Sequence, residues 1–198
     1  MTRHFFITGL PRSRTAWMAN FFTTGESFCF HDAMKDGFDM ATLRAAFESA
    51  MPRNYDYLGD ADSGLLLCPG QVYEAHPFAP WLFIRNTPER SAASFEEYFR
   101  KVPYPGVPLG ASMLEAMKVA EIYYREALEI VPEQNRIEVE MSDLENPEVM
   151  RKVWQWLVPE LPWDEKRYRL LDGLRVNVMQ EKVKFNPTHL RRPAYPRA

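Results

Sequence analysis

The feature that most constrains this chain is a short apolar run that stops at a glycine and resumes, a few residues later, in a helical pattern. His4-Phe-Phe-Ile-Thr-Gly9 reads as a buried strand, and from Arg14 to Phe22 the spacing of Trp17, Met18, Phe21 and Phe22 is that of a helix. Between them lies Gly9-Leu-Pro-Arg-Ser-Arg-Thr15. A loop in this setting presents unpaired backbone N–H groups at the positive end of a helix dipole, which favours phosphate or sulfate. Arg12, Ser13, Arg14 and Thr15 add side-chain donors to those amides. The plainer reading makes Arg12 and Arg14 solvated turn residues.

The rest of the chain repeats the alternation. Ser27 to His31 reads as a brief strand, and Met40 to Met51 as a helix stopped by Pro52. Residues 55–59 read as a strand running into a polar turn, Asp60-Ala-Asp-Ser-Gly64. Pro80-Trp-Leu-Phe-Ile-Arg85 carries four apolar residues in a row, the mark of a strand buried on both faces. Thr87-Pro-Glu then opens a helix to about Arg100, with Thr87 as cap and Pro88 in the first turn. Pro103-Tyr-Pro-Gly-Val-Pro108 is a rigid loop, Ala111 to Ile130 the longest helix, Arg136 to Met141 an alternating strand, and Ser142 to Pro147 an approach to a helix through Val153, Trp154 and Leu157. Strands alternating with helices specify a three-layer α/β domain around a mostly parallel sheet, with ligands at the carboxyl ends of the strands. One domain is expected over 1–184, followed by a Pro/Arg-rich tail over 185–198.

With 46% hydrophobic and 14% aromatic residues in 198, one core suffices. A net charge of −3 gives no overall attraction for nucleic acid or anionic membrane, so anion recognition must be local. The two cysteines, Cys29 and Cys68, lie in apolar contexts outside any C-x-x-C pair and read as buried free thiols suited to a reducing cytoplasm. No window approaches the ~20 apolar residues of a membrane span, so a soluble cytoplasmic protein is expected.

The loop is not a Walker A loop, which would need Gly at Arg14 and Lys at Thr15, and this disfavours ordinary ATP or GTP hydrolysis. Pro11-Arg-Ser-Arg-Thr-Ala-Trp17 instead resembles the Pro-Arg/Lys-Ser-Gly-Thr-Thr-Trp loop with which sulfotransferases hold the 5′-phosphosulfate of 3′-phosphoadenosine 5′-phosphosulfate. Arg14 stands where that family has Gly and Ala16 where it has a second Thr. The resemblance implies that Arg12, Ser13, Arg14, Thr15, Ala16 and Trp17 form the donor's 5′ site, with Arg12 on the transferring group. Residues 81–94 are similar to the family's second anion segment, which implies that Arg85 and a serine, Ser91 or Ser94, hold the 3′-phosphate. Thr87 is an extra residue before Pro88 in that segment. Read without the family, Arg85 is a planar fork suited to two phosphate oxygens, or a strand-to-helix tie to Glu89. Val139 to Pro147 adds a thinner likeness, and the likeness as a whole runs from residue 4 to about 158. The family's basic, glycine-containing loop is not recognisable here.

Transfer to a hydroxyl or amine requires a proton acceptor. The resemblance implies one near the strand after the first helix, where His31 and Asp32 stand, His31 as base and Asp32 as its orienter or substitute. The bland alternative makes both residues caps. Asp60 and Asp62 form a second candidate pair, expected to be solvated in their polar turn; as a D-x-D pair they suit a divalent ion, but no third ligand is evident and no metal is expected. His4 and His189 read as structural or solvent-facing, and His76 as a helix end. The acceptor would be a small molecule or glycan. Two other readings are a P-loop-type nucleotide or metabolite kinase needing magnesium and a nucleoside triphosphate, and a non-catalytic anion-binding member.

Overall fold

The computed structural model of the chain describes residues 2–34, 37–101 and 111–172. The 103–108 loop, His189 and the junction expected at 184 lie outside these. Five strands form one sheet: β1 (Arg3–Gly9), β2 (Ser27–His31), β3 (Tyr57–Ala61), β4 (Trp81–Arg85) and β5 (Arg136–Glu140). Their order is β2-β3-β1-β4-β5 and every pairing is parallel. The helices are α1 (Thr15–Phe22), α2 (Met40–Ala50), α3 (Pro69–Ala75), α4 (Pro88–Lys101), α5 (Ala111–Ile130), α6 (Pro147–Leu157) and α7 (Glu165–Asp172).

Because successive strand residues point to opposite faces, β1 feeds two cores. Phe5 and Ile7 pack with Met18 and Phe22 of α1, Trp154 of α6 and Tyr168 of α7, while Phe6 packs with Phe47 of α2, Val72 of α3 and Tyr124 of α5. A parallel sheet with both faces covered needs the unbroken apolar run seen in Trp81-Leu-Phe-Ile84, all fully buried. This is the expected three-layer α/β fold. Gly9 is required by close approach, since a Cβ there would sit 2.5 Å from the Ile84 carbonyl oxygen on the neighbouring strand.

One boundary moved. The third strand begins at Tyr57 and continues through Asp60 and Ala61, so the first two residues of the expected polar turn are sheet, the next, Asp62, caps a short 3-10 helix over Ser63–Leu67, and Asp60 and Asp62 are buried rather than solvated. The register explains it: Asp60 lies between Phe6 of β1 and Phe30 of β2, inside the ladder. The cysteines are free and buried. Among the described residues no helix is long and apolar enough to cross a membrane.

Candidate active site

All the sequence-derived candidates lie at the carboxyl edge of the sheet or in the elements that follow it. The strand order reverses around β1, whose neighbours β3 and β4 lead to opposite sheet edges, and open α/β sheets bind ligands at such a point. The loop after β1 is strained. Arg12 and Arg14 have φ of 70° and 63°, the left-handed region, which costs of order 1–2 kcal/mol for each side-chain-bearing residue. Arg14, at the family's glycine position, adopts a glycine-like backbone, and its guanidinium is held 2.5 Å from Glu145. It is also the N-cap of α1, without a side-chain cap, and the first turn carries no acidic residue. The positive end of the helix is therefore not neutralised by its own sequence.

Two side chains of this loop have unmet electrostatic demands. The Ser13 hydroxyl is fully buried with no hydrogen-bond partner among the described residues, a condition that ordinarily costs about 1–3 kcal/mol. Arg12 donates from Nε to Ser94 Oγ at 3.2 Å and lies 5.0 Å over the Tyr98 ring, with no carboxylate in ion-pair distance among the described residues. Burial lowers its pKa, partly offset by Tyr98 and Glu97, yet a guanidinium remains charged at neutral pH. The loop thus holds a cation outside any ion pair among the described residues and a buried donor at a helix N-terminus, an arrangement that suits an oxyanion.

The two serines of α4 differ. Ser91 is fully buried and donates to the Pro11 carbonyl, which pins the loop to α4. Ser94, one turn on, is only partly buried and accepts from Arg12. Arg85 at the end of β4 is engaged by β5: its Nε and Nη2 donate to Glu138 at 3.0 and 2.5 Å, and Nη1 lies 3.3 Å from Glu140. It ties strand to strand, not strand to Glu89. Burial raises the Glu138 pKa, but the bonds from Arg85 and Tyr124 outweigh it and leave Glu138 lowered. Beyond Arg85 a groove of about 760 Å³ opens between α4 and α5, lined in part by Asn86, Pro88 and Ile122.

On the other side of the loop, His31 ends β2. Its Nδ1 lies 3.1 Å from Asp32 Oδ2 and its Nε2 lies 3.4 Å from Thr15 Oγ1. Asp32 has φ of 56°, and the turn after it hangs on the second carboxyl pair: the Ala33 amide donates to Asp60 Oδ1 and the Met34 amide to Asp62 Oδ2, both at 3.2 Å. Burial, then the neighbouring Asp62, drives the Asp60 pKa well above the usual carboxylate range, and burial raises that of Asp62. These two carboxyls hold the turn that carries Asp32. Among the described residues no group of three or more His, Cys, Asp or Glu side chains is placed to hold a metal ion.

The structure therefore sets Arg12 against Ser94 and Tyr98 on the α4 side of the loop and Thr15 against His31, with Asp32 next to it, on the β2 side. The Ala16 carbonyl accepts from the Asn20 side chain within α1. Trp17 turns into the core, where Nε1 donates to the Leu171 carbonyl and the ring stacks on Phe21. Sequence reasoning missed Tyr98, Glu138 and Glu145. Tyr98 was findable, because Ser91, Ser94 and Tyr98 share one face of a helix at i, i+3 and i+7. Glu138 required the β4–β5 register, which a sequence does not show.

No protein-family model matches the chain, and no curated protein matches it by sequence. Among solved structures it is similar to a sulfotransferase from Alicyclobacillus acidocaldarius, with a TM-score of 0.59 and 13% identity over 86% of this chain and 90% of that one. The likeness is one of fold: a five-stranded parallel α/β domain of sulfotransferase-like architecture.

Proposed function

We propose that this protein is a sulfotransferase that moves a sulfuryl group from 3′-phosphoadenosine 5′-phosphosulfate to a hydroxyl or amine of a small-molecule or glycan acceptor. The observation that carries the reading is the loop after β1, where the Ser13 hydroxyl has no hydrogen-bond partner and Arg12 no ion-pair partner among the described residues, at the start of a helix without a side-chain cap. The sulfotransferase-like fold supports it.

In this reading Ser13, Arg14, Thr15 and the amides of Ala16 and Trp17 hold the donor's 5′-phosphate, and Arg12 lies on the bridging oxygen. Arg85 and Ser94 take the 3′-phosphate, Arg85 by exchanging one of its carboxylate partners. The acceptor approaches on the β2 side, three strand spacings or roughly 14 Å from Arg85, so nucleotide and acceptor flank the loop. His31 Nε2 takes the acceptor's proton as the new bond to sulfur forms. The bond from sulfur to the bridging oxygen breaks, and Arg12 offsets the charge left on that oxygen. Asp32 holds the imidazole through Nδ1. The two reduced, buried cysteines fit a cytoplasmic location.

The test is transfer of labelled sulfuryl from the donor to a panel of phenols, alcohols, amines and sugars, with ATP and magnesium in a parallel arm. Labelled product that His31→Ala and Arg12→Ala both abolish supports the reading. Phosphoryl transfer from ATP without sulfuryl transfer overturns it.

A further inference from the structure

One hydroxyl joins the base to the anion loop. Thr15 is the first residue of α1, and its Oγ1 lies 3.4 Å from His31 Nε2, while Nδ1 of the same ring lies 3.1 Å from the Asp32 carboxylate. A carboxylate only accepts hydrogen bonds, so the neutral ring carries its proton on Nδ1 and presents a lone pair at Nε2. The Thr15 hydroxyl, mostly buried, donates into that lone pair. It has one proton to give. The same hydroxyl belongs to the loop proposed above to hold the donor's oxyanion, and there too it would have to donate.

We propose that Thr15 is a positioning residue that covers His31 Nε2 in the free protein and uncovers it when an anion enters the loop, so that the base becomes available only after the donor binds. The inference rests on the reading of His31 as base and of the loop as donor site. It adds an order of binding, donor before acceptor, that neither assignment contains. Arg12 cannot substitute for Thr15 in this role, because it is directed to Ser94 and Tyr98 on the α4 side of the loop.

The experiment measures how fast diethyl pyrocarbonate, which attacks an unprotonated ring nitrogen, modifies His31 in the full-length protein. Peptide mass spectrometry assigns the site, and His4 and His76 serve as internal controls. The native chain should react slowly and several-fold faster with saturating inorganic pyrophosphate, the ratio an ordinary neutral hydrogen bond supports. Thr15→Val should react fast with or without pyrophosphate, and Thr15→Ser should restore native behaviour, with thermal melting confirming that each variant is folded. A rate that stays constant or falls while calorimetry shows pyrophosphate bound overturns the coupling, as does a native rate in Thr15→Val. The outcomes separate the two claims. If pyrophosphate binds and raises the rate but 3′-phosphoadenosine 5′-phosphate does not bind, the donor assignment fails and the coupling stands. If the nucleotide binds and His31 does not respond, the coupling fails and the donor assignment stands. Binding of neither anion contradicts both.

Discussion

Asp60→Asn should change the pH dependence of stability more than its mean. Asp60 is fully buried, with one carboxyl oxygen on the Ala33 amide and the other without a partner among the described residues. Burial first, and then Asp62, raise its pKa well above the ordinary 3.8. A group raised in the folded state keeps its proton where the unfolded chain has lost it. Its contribution is therefore complete below the unfolded value and is lost as pH climbs from there towards the folded value. Each pH unit of that window lowers stability by about 1.4 kcal/mol. Asparagine keeps the acceptor for Ala33 but leaves an amide N–H₂ where the orphan oxygen was, an offset of about 1–3 kcal/mol that does not vary with pH. Urea unfolding of both proteins from pH 4.5 to 8 isolates the effect as a difference curve. The variant should gain on the native chain as pH rises, with a slope of up to about 1.4 kcal/mol per unit. A flat difference curve would refute the claim that Asp60 is protonated in the fold.

Arg14→Gly should leave stability unchanged or raise it by up to about 1 kcal/mol, since glycine relieves the positive φ and the ion pair to Glu145 is partly exposed. Thermal melting checks this, and a loss above about 1 kcal/mol, as at an ordinary right-handed position, would contradict it. Glu138→Gln should raise the preference for 3′-phosphoadenosine 5′-phosphate over AMP, by up to about fivefold given an exposed pair worth no more than ~1 kcal/mol. Unchanged calorimetric selectivity would remove Arg85 from the 3′-phosphate site.

The architecture was legible because two kinds of apolar pattern mark it. Trp81-Leu-Phe-Ile84 could only be a strand covered on both faces, and the strand-loop-helix opening set the carboxyl edge of β1 as the place for a ligand. The third strand was misplaced because Asp60 and Asp62 look like turn residues. Their burial depends on amides of the β2–α2 turn, Ala33 and Met34, which come near only once the sheet has formed. Arg85 shows the same limit. Its place at a strand end could be read from sequence, but its carboxylate partners lie more than fifty residues away and are set by the β4–β5 register. Arg14 was legible as a side chain at a glycine position, whereas its left-handed backbone and the bond from Trp17 to Leu171 of α7 came only with the fold.

The central claim is that the loop after β1 binds the donor's phosphosulfate end, and calorimetric titration with 3′-phosphoadenosine 5′-phosphate tests it most directly. The native chain should bind without magnesium. At a hundredfold excess over Kd the ligand should stabilise the protein by about 2.7 kcal/mol, a rise in Tm of roughly 5–10 °C. Arg12→Ala should lose most of that binding while melting, without ligand, near the native temperature. Equal binding by native and Arg12→Ala proteins, or binding of ATP with magnesium in preference to the bisphosphate, would contradict the account.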